Sequence, residues 1–80
     1  MRIMDIPLNT LEQGEHAIVH SLCGGRTVSN RLVSLGFTPG VELEMVQNFR
    51  RGPLIVALRG TRVALGRGEA TKILVRKEAE

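Results

Sequence analysis

Tryptophan and tyrosine are missing from this chain, and Phe37 and Phe49 are its only aromatic residues. Single-strand nucleic-acid binders stack bases on several rings, and the grooves that read proline-rich peptides are walled by Tyr and Trp, so both functions are disfavoured. Cysteine is almost as scarce. Cys23 stands alone, which excludes an intrachain disulfide and fits a reducing compartment. No stretch approaches the 18 or so uninterrupted apolar residues of a membrane span, and the opening MRIMDIPLNT has no long apolar segment of the secretory kind. A soluble, cytoplasmic protein with no direct membrane insertion is expected. Charge of one sign is also limited: 11 Lys and Arg against 8 Asp and Glu leave +3, too little for a nucleic-acid-binding tail.

What remains is aliphatic. Apolar residues make up 42% of 80 positions and charged residues 24%, an ordinary globular balance. A chain this short removes roughly 60% of its unfolded surface from water and supports one core, so residues 1–80 read as one domain with its core from about 8 to 76. In DIPLNTLEQGE an extended lead-in precedes one helical or 3-10 turn, with Thr10 as its cap, Gln13 at the capping-box position, Gly14 as its stop, and Leu8 and Leu11 pointing inward. EHAIVHSL then alternates, with Ala17 and Val19 on one face and His16, Ile18 and His20 on the other, the period of a strand. Val28, Leu32 and Leu35 recur at helical spacing behind Thr27, a natural N-cap. Gly36 is placed for the left-handed end of that helix, Phe37 for the residue that packs back on it, and Pro39-Gly40 for a type II turn.

Three more strands follow: VELEMVQN with Val41, Leu43 and Met45 inward, the nearly all-apolar PLIVALRG, and TRVAL, the last two joined by a II′ hairpin at Gly60-Thr61. After a helical turn at GRGEA comes KILVRK, with Ile73 and Val75 on one face, and the tail KEAE should fray. Five or so strands with one short inserted helix make an all-β chain with small α content, and closing the sheet into a partly open β-barrel hides its edges.

The segments RLVSLGFTPGVELEMV, PLIVALRGTRVALGRGEA and ILV, in this order and spacing, resemble the FeoA family of ferrous-iron transport accessory proteins. The similarity runs from Leu11 to Val75. It implies an SH3-like barrel and a small cytoplasmic, regulatory protein that partners the cytosolic part of FeoB, a membrane ferrous-iron transporter, without being an enzyme. A related domain at the end of iron-dependent repressors implies an alternative, a metal-responsive module. Many relatives carry a Pro-Leu-Gly type loop where this chain has NFRRGPL, which implies a more electrostatic contact here.

Candidate sites are few. Phe49, Arg50 and Arg51 form the preferred partner-binding set, because a ring can anchor an interface and guanidinium groups pair with carboxylates. Glu15, His16, His20 and Cys23 offer transition-metal donors, but His16 and His20 on one strand lie about 13 Å apart, beyond one ion's reach. No cofactor is required on this reading, and His16, His20 and Cys23 remain weak candidates for Fe2+ or Zn2+. No nucleophile with a matched base and no phosphate-cradling glycine loop is present, so catalytic residues are not expected. The arginines at 50, 51, 59, 62, 67 and 76 read as a solvated face, with nucleic-acid binding the least favoured alternative.

Overall fold

The computed structural model describes residues 2–79, with side chains through Lys77. Six strands, β1 (Arg2–Pro7), β2 (His16–Leu22), β3 (Glu42–Gln47), β4 (Leu54–Leu58), β5 (Thr61–Leu65) and β6 (Ile73–Ala79), form one antiparallel sheet in the order β1-β6-β2-β3-β4-β5. Helix α1 (Gly25–Ser34) joins β2 to β3, the one-turn α2 (Arg67–Ala70) joins β5 to β6, and a 3-10 turn occupies Leu8–Thr10. The expected inward residues meet in one cluster: Ala17 and Val19 from β2, Leu43 and Met45 from β3, Leu54, Val56 and Leu58 from β4, Ile73 and Val75 from β6, all buried. Leu8, Leu11 and Leu32 close its ends. Among the described residues β5 and β1 remain unpaired edges, so the barrel is partly open.

A sixth strand, β1, joins the five or so expected, and its pairing with β6 corrects the expected fraying of the tail. β1 aligns with β6 from Arg2 opposite Ala79 to Pro7 opposite Leu74, so residues 77–79 are strand; Glu80 lies outside the described residues. Burial could not announce β1, because Ile3 and Met4 remain 62% and 45% exposed. Pairing with β6 along its whole length and the Asp5–Arg76 contact hold this strand, and Ile6 near its end packs against the core.

The ending of α1 follows the sequence closely. Gly36 N–H donates to Val33 O at 2.9 Å and Phe37 N–H to Leu32 O at 3.0 Å, the paired bonds of a Schellman motif, with Gly36 at φ +111°. Val41 N–H donates to Thr38 O at 3.1 Å and Gly40 has φ +95°, as a type II turn requires. Other local expectations shift. The helix starts two residues before Thr27, after Gly24 in a left-handed conformation, so Thr27 is not its cap. Leu35 stays 36% exposed outside the core. Thr10 ends the 3-10 turn, its hydroxyl donating back to Pro7 O at 2.7 Å. The β4–β5 turn centres on Arg59-Gly60, both at positive φ (51° and 77°), while Thr61 is already paired with Leu58; this is the I′ geometry, one residue earlier than expected.

Glu15 ties the turn before β2 to β6. Its Oε1 accepts from Glu12 N–H at 2.8 Å and its Oε2 from Lys77 Nζ at 2.5 Å. Lys77 first, then the Glu12 amide, hold the Glu15 carboxyl below the usual glutamate range. A carboxyl lowered in the folded state stabilises that state while ionised, and this contribution is lost as pH falls from the ordinary value near about 4.3 through the lowered one. Urea midpoints of wild type should therefore fall more between pH 6 and pH 3 than those of Glu15→Gln; parallel falls would remove Glu15 from the acid response.

Candidate functional site

The loop 48–53 between β3 and β4 brings Phe49, Arg50 and Arg51 together at the surface. Phe49 is 64% exposed, a large value for the only phenylalanine outside the core, and both arginines are exposed. The loop is not merely a hydrophilic tip, because its first residue is tied down on every side. A register shift between Met45 and Gln47 leaves an extra residue in β3, and such a bulge bends the strand end. Asn48 follows immediately. Its Nδ2 donates to Asn9 O at 3.1 Å and to Leu11 O at 2.9 Å, and its backbone N–H donates to Gln13 Oε1 at 3.2 Å. Its Oδ1 accepts from Arg67 Nη2 at 2.7 Å and from Arg50 N–H at 3.4 Å, the latter closing an Asx-type turn. Arg50 and Gly52 then take positive φ, 65° and 72°, which turns the chain back toward β4.

Asn48 thus joins three separate pieces of chain: the 3-10 turn with the residues after it, the loop itself, and α2. Between them lies an open polar cleft of about 570 Å3. Sequence reasoning placed Gln13 in a capping box and Arg67 on a solvated face, and passed over Asn48. An asparagine two residues before a position that adopts positive φ is an Asx-turn signal, but its bonds to Asn9, Leu11 and Arg67 arise only from tertiary folding.

The metal candidates are not brought together. His16 and His20 sit on the outer face of β2 with Ile18 between them, and Cys23 is exposed beyond the strand's end, its N–H donating to Lys72 O at 2.7 Å. His20 Nε2 instead lies 3.8 Å from Asp5 Oδ2. Asp5 accepts from Arg76 Nε at 2.8 Å and Nη2 at 3.1 Å, and this bidentate bond chiefly holds its carboxyl below the usual range, with the Arg76 and His20 charges adding to the effect. Among the described residues, no group of three or more His, Cys, Asp or Glu is arranged to hold a metal ion.

Comparison with known proteins matches this architecture. A model of the FeoA domain matches residues 6–77. A protein of Methanocaldococcus jannaschii named as a candidate Fe(2+) transport protein A is 39% identical over 69 residues, covering 86% of this chain and 83% of that protein. The crystal structure of an iron uptake regulatory protein (FeoA) is 35% identical, covers 90% of this chain and 95% of its own, and superposes with a TM-score of 0.83. FeoA of Stenotrophomonas maltophilia, crystallised with zinc and described as an SH3 domain protein, is 30% identical over 92% of this chain and 95% of its own, with a TM-score of 0.77. The family match spans every element from the end of β1 into β6, and with it the chain belongs to the FeoA family.

Proposed function

We propose that this protein is a small cytosolic accessory of ferrous-iron uptake that docks, through the loop 48–53, on the cytosolic part of a FeoB-type transporter. Family membership supports the iron-uptake setting, since similar proteins are named for Fe(2+) transport and for regulation of iron uptake. One observation carries the choice of surface: Phe49 is 64% exposed on a loop whose base is fixed by five hydrogen bonds through Asn48. An exposed ring on a fixed base has already lost the conformational freedom that a floppy loop would give up on binding. Arg50 and Arg51 flank it with charge for carboxylates on the partner. Regulation by contact, without chemistry, is the role this surface suits. No helix among the described residues is long and apolar enough to cross a membrane, so on this reading the transporter supplies the membrane-spanning part.

A pulldown with the transporter's soluble cytosolic domain tests the loop. The variant Phe49→Ala/Arg50→Ala/Arg51→Ala should retain the fold and lose at least about tenfold in affinity, since losing an exposed aromatic anchor commonly costs more than about 1 kcal/mol. Undiminished capture would remove the loop from the interface.

A further inference from the structure

The charges of this chain are unevenly placed. No acidic residue lies between Glu44 and Glu69, yet Arg50, Arg51, Arg59, Arg62 and Arg67 all fall there, while the rest of the chain holds all eight acidic residues and only six basic ones. The fold gathers this segment at one edge of the sheet. β5 is the last strand, beyond β4, and its Thr61, Val63 and Leu65 lie opposite Leu58, Val56 and Leu54. Residues flanking a two-residue turn exchange hydrogen bonds and the pairs alternate from there, so Thr61, Val63 and Leu65 bond to β4, while Arg62 and Ala64 turn their main-chain N–H and C=O groups to the open side. Both of these residues are exposed. Arg59 stands at the turn end of the edge, and Arg67 and the loop 48–53 stand at the other end, joined by the bond from Arg67 Nη2 to Asn48 Oδ1. Two of the arginines also occupy backbone positions that suit them poorly. Among the described residues Arg50 and Arg59 are the only ones other than glycine at positive φ, 65° and 51°, where glycine or asparagine would be relaxed. Strain of this kind gathers at places where a side chain has a task.

We propose that β5 takes an acidic, extended segment of another protein as a seventh, antiparallel strand, bonded through the main chain to Arg62 and Ala64, with its carboxylates beside Arg62 and the arginines at the two ends of the edge. Residues of the added strand opposite Arg62 and Ala64 share their outer face, and those between them lie beside the half-buried Val63, so the segment alternates acidic and apolar residues. A second copy of this chain fits poorly, because antiparallel pairing of β5 with itself sets the arginines of the two copies side by side. The other open edge, β1, carries both signs in Arg2 and Asp5, and Asp5 is already held by Arg76. Glu44 lies in the row Glu44–Ala57–Arg62, two strands or about 10 Å in from β5, with Arg62 nearer to the added strand. A nucleic acid would meet the charge but offers no alternating N–H and C=O groups to the edge. The inference does not require the docking reading above, since the strand bonds are made by Arg62 and Ala64, outside the loop 48–53.

Amide protons on an open edge exchange with solvent, and those in a ladder are protected, so the contact can be read at the atoms proposed. The labelled protein is titrated with acetyl-Glu-Val-Glu-Val-Glu-Val-Glu-amide, with its glutamine counterpart, and with the same glutamate peptide N-methylated at its two inner glutamates, whose amides would face β5. Saturating glutamate peptide is expected to slow exchange of the Arg62 and Ala64 amides by at least about tenfold. The glutamine peptide should bind at least about fivefold more weakly and the methylated one at least about tenfold more weakly. Absence of binding, equal binding by the glutamine peptide, or equal binding by the methylated peptide, which would mean attraction by charge alone, overturns the proposal. So does protection of the same two amides by a short oligodeoxythymidylate or by phosphatidylglycerol vesicles in place of the peptide. Ala64→Pro removes a donor that faces away from β4, where an edge strand tolerates proline, and should lower peptide affinity at least about tenfold. Arg62→Glu, on the exposed face, should do the same with an amide spectrum matching wild type away from β5; unchanged affinity in this variant overturns the proposal whether or not the proline variant folds. Arg59→Asn relaxes the turn and should raise the melting temperature by about 2–6 °C while weakening the peptide about threefold; unchanged affinity there also counts against it.

Discussion

Phe37→Ala is expected to lower the melting temperature by about 15–30 °C. Phe37 has no exposed surface, packs in the central cluster, and closes the Schellman ending of α1 through its N–H to Leu32 O. Removing a buried phenylalanine to alanine costs about 3–5 kcal/mol, and a domain of this size changes by about 4–8 °C per kcal/mol. Total stability for 80 residues is on the order of 4–12 kcal/mol, so the variant is expected to be marginal at best. Thermal unfolding followed by circular dichroism gives the answer. A fall under about 5 °C would mean that Phe37 is not the pin between helix and sheet. Such a variant should also lose partner binding, but only in proportion to its unfolded fraction, since Phe37 lies apart from the residues that line the cleft.

Asn48→Ala tests a different idea, that the docking loop is held in place before any partner arrives. The substitution deletes the donors to Asn9 O and Leu11 O and the acceptor used by Arg67 and Arg50. Each net bond is worth about 1 kcal/mol, and half-buried groups left without partners add to the loss, so a cost of about 2–3 kcal/mol is expected. The melting temperature should drop by about 10–20 °C. Affinity for the partner should fall about tenfold even at temperatures where the variant is fully folded, because loop ordering then opposes binding. Asn48→Asp sharpens the test. It keeps an acceptor for Arg67 but faces two carbonyl oxygens without a donor, so it should be no more stable than the alanine variant. If Asn48→Asp proved as stable as wild type, the bonds to Asn9 O and Leu11 O would contribute little.

These two residues also mark what the sequence makes legible. Phe37 could be placed because Leu-Gly-Phe-Thr-Pro-Gly encodes its own geometry: a left-handed glycine, a residue that folds back, and a proline-glycine turn are all local. The alternation of Ala17 and Val19, and of Ile73 and Val75, placed two barrel strands for the same reason, since one buried face imposes a period of two. β1 left no such trace. Its exposed Ile3 and Met4 carry no face, and its pairing with β6 spans almost the full length of the chain. Long-range main-chain pairing has no local residue pattern.

The candidate site divides in the same way. Phe49, Arg50 and Arg51 could be singled out because a ring and two arginines before a glycine are unusual in so aliphatic a chain. Asn48 and Arg67 could not, because their partners come from segments 19 to 39 residues away. A buried Arg67 Nε without an acceptor is visible only once the 3-10 turn, the loop and α2 have closed around it. The histidines make the converse point: imidazoles four residues apart suggest a ligand pair on paper, but a strand keeps them apart on one face, and His20 turns to Asp5 instead.

The most direct test of the docking account is a chemical-shift map of the labelled protein as the transporter's soluble cytosolic domain is added. The account predicts that the strongly affected amides gather at residues 9–13, 48–52 and 67, around the cleft and Phe49. Changes gathered instead on the outer face of β2 and β6, at His16, Ile18, His20 and Arg76, would contradict it, as would a spectrum that does not change at all.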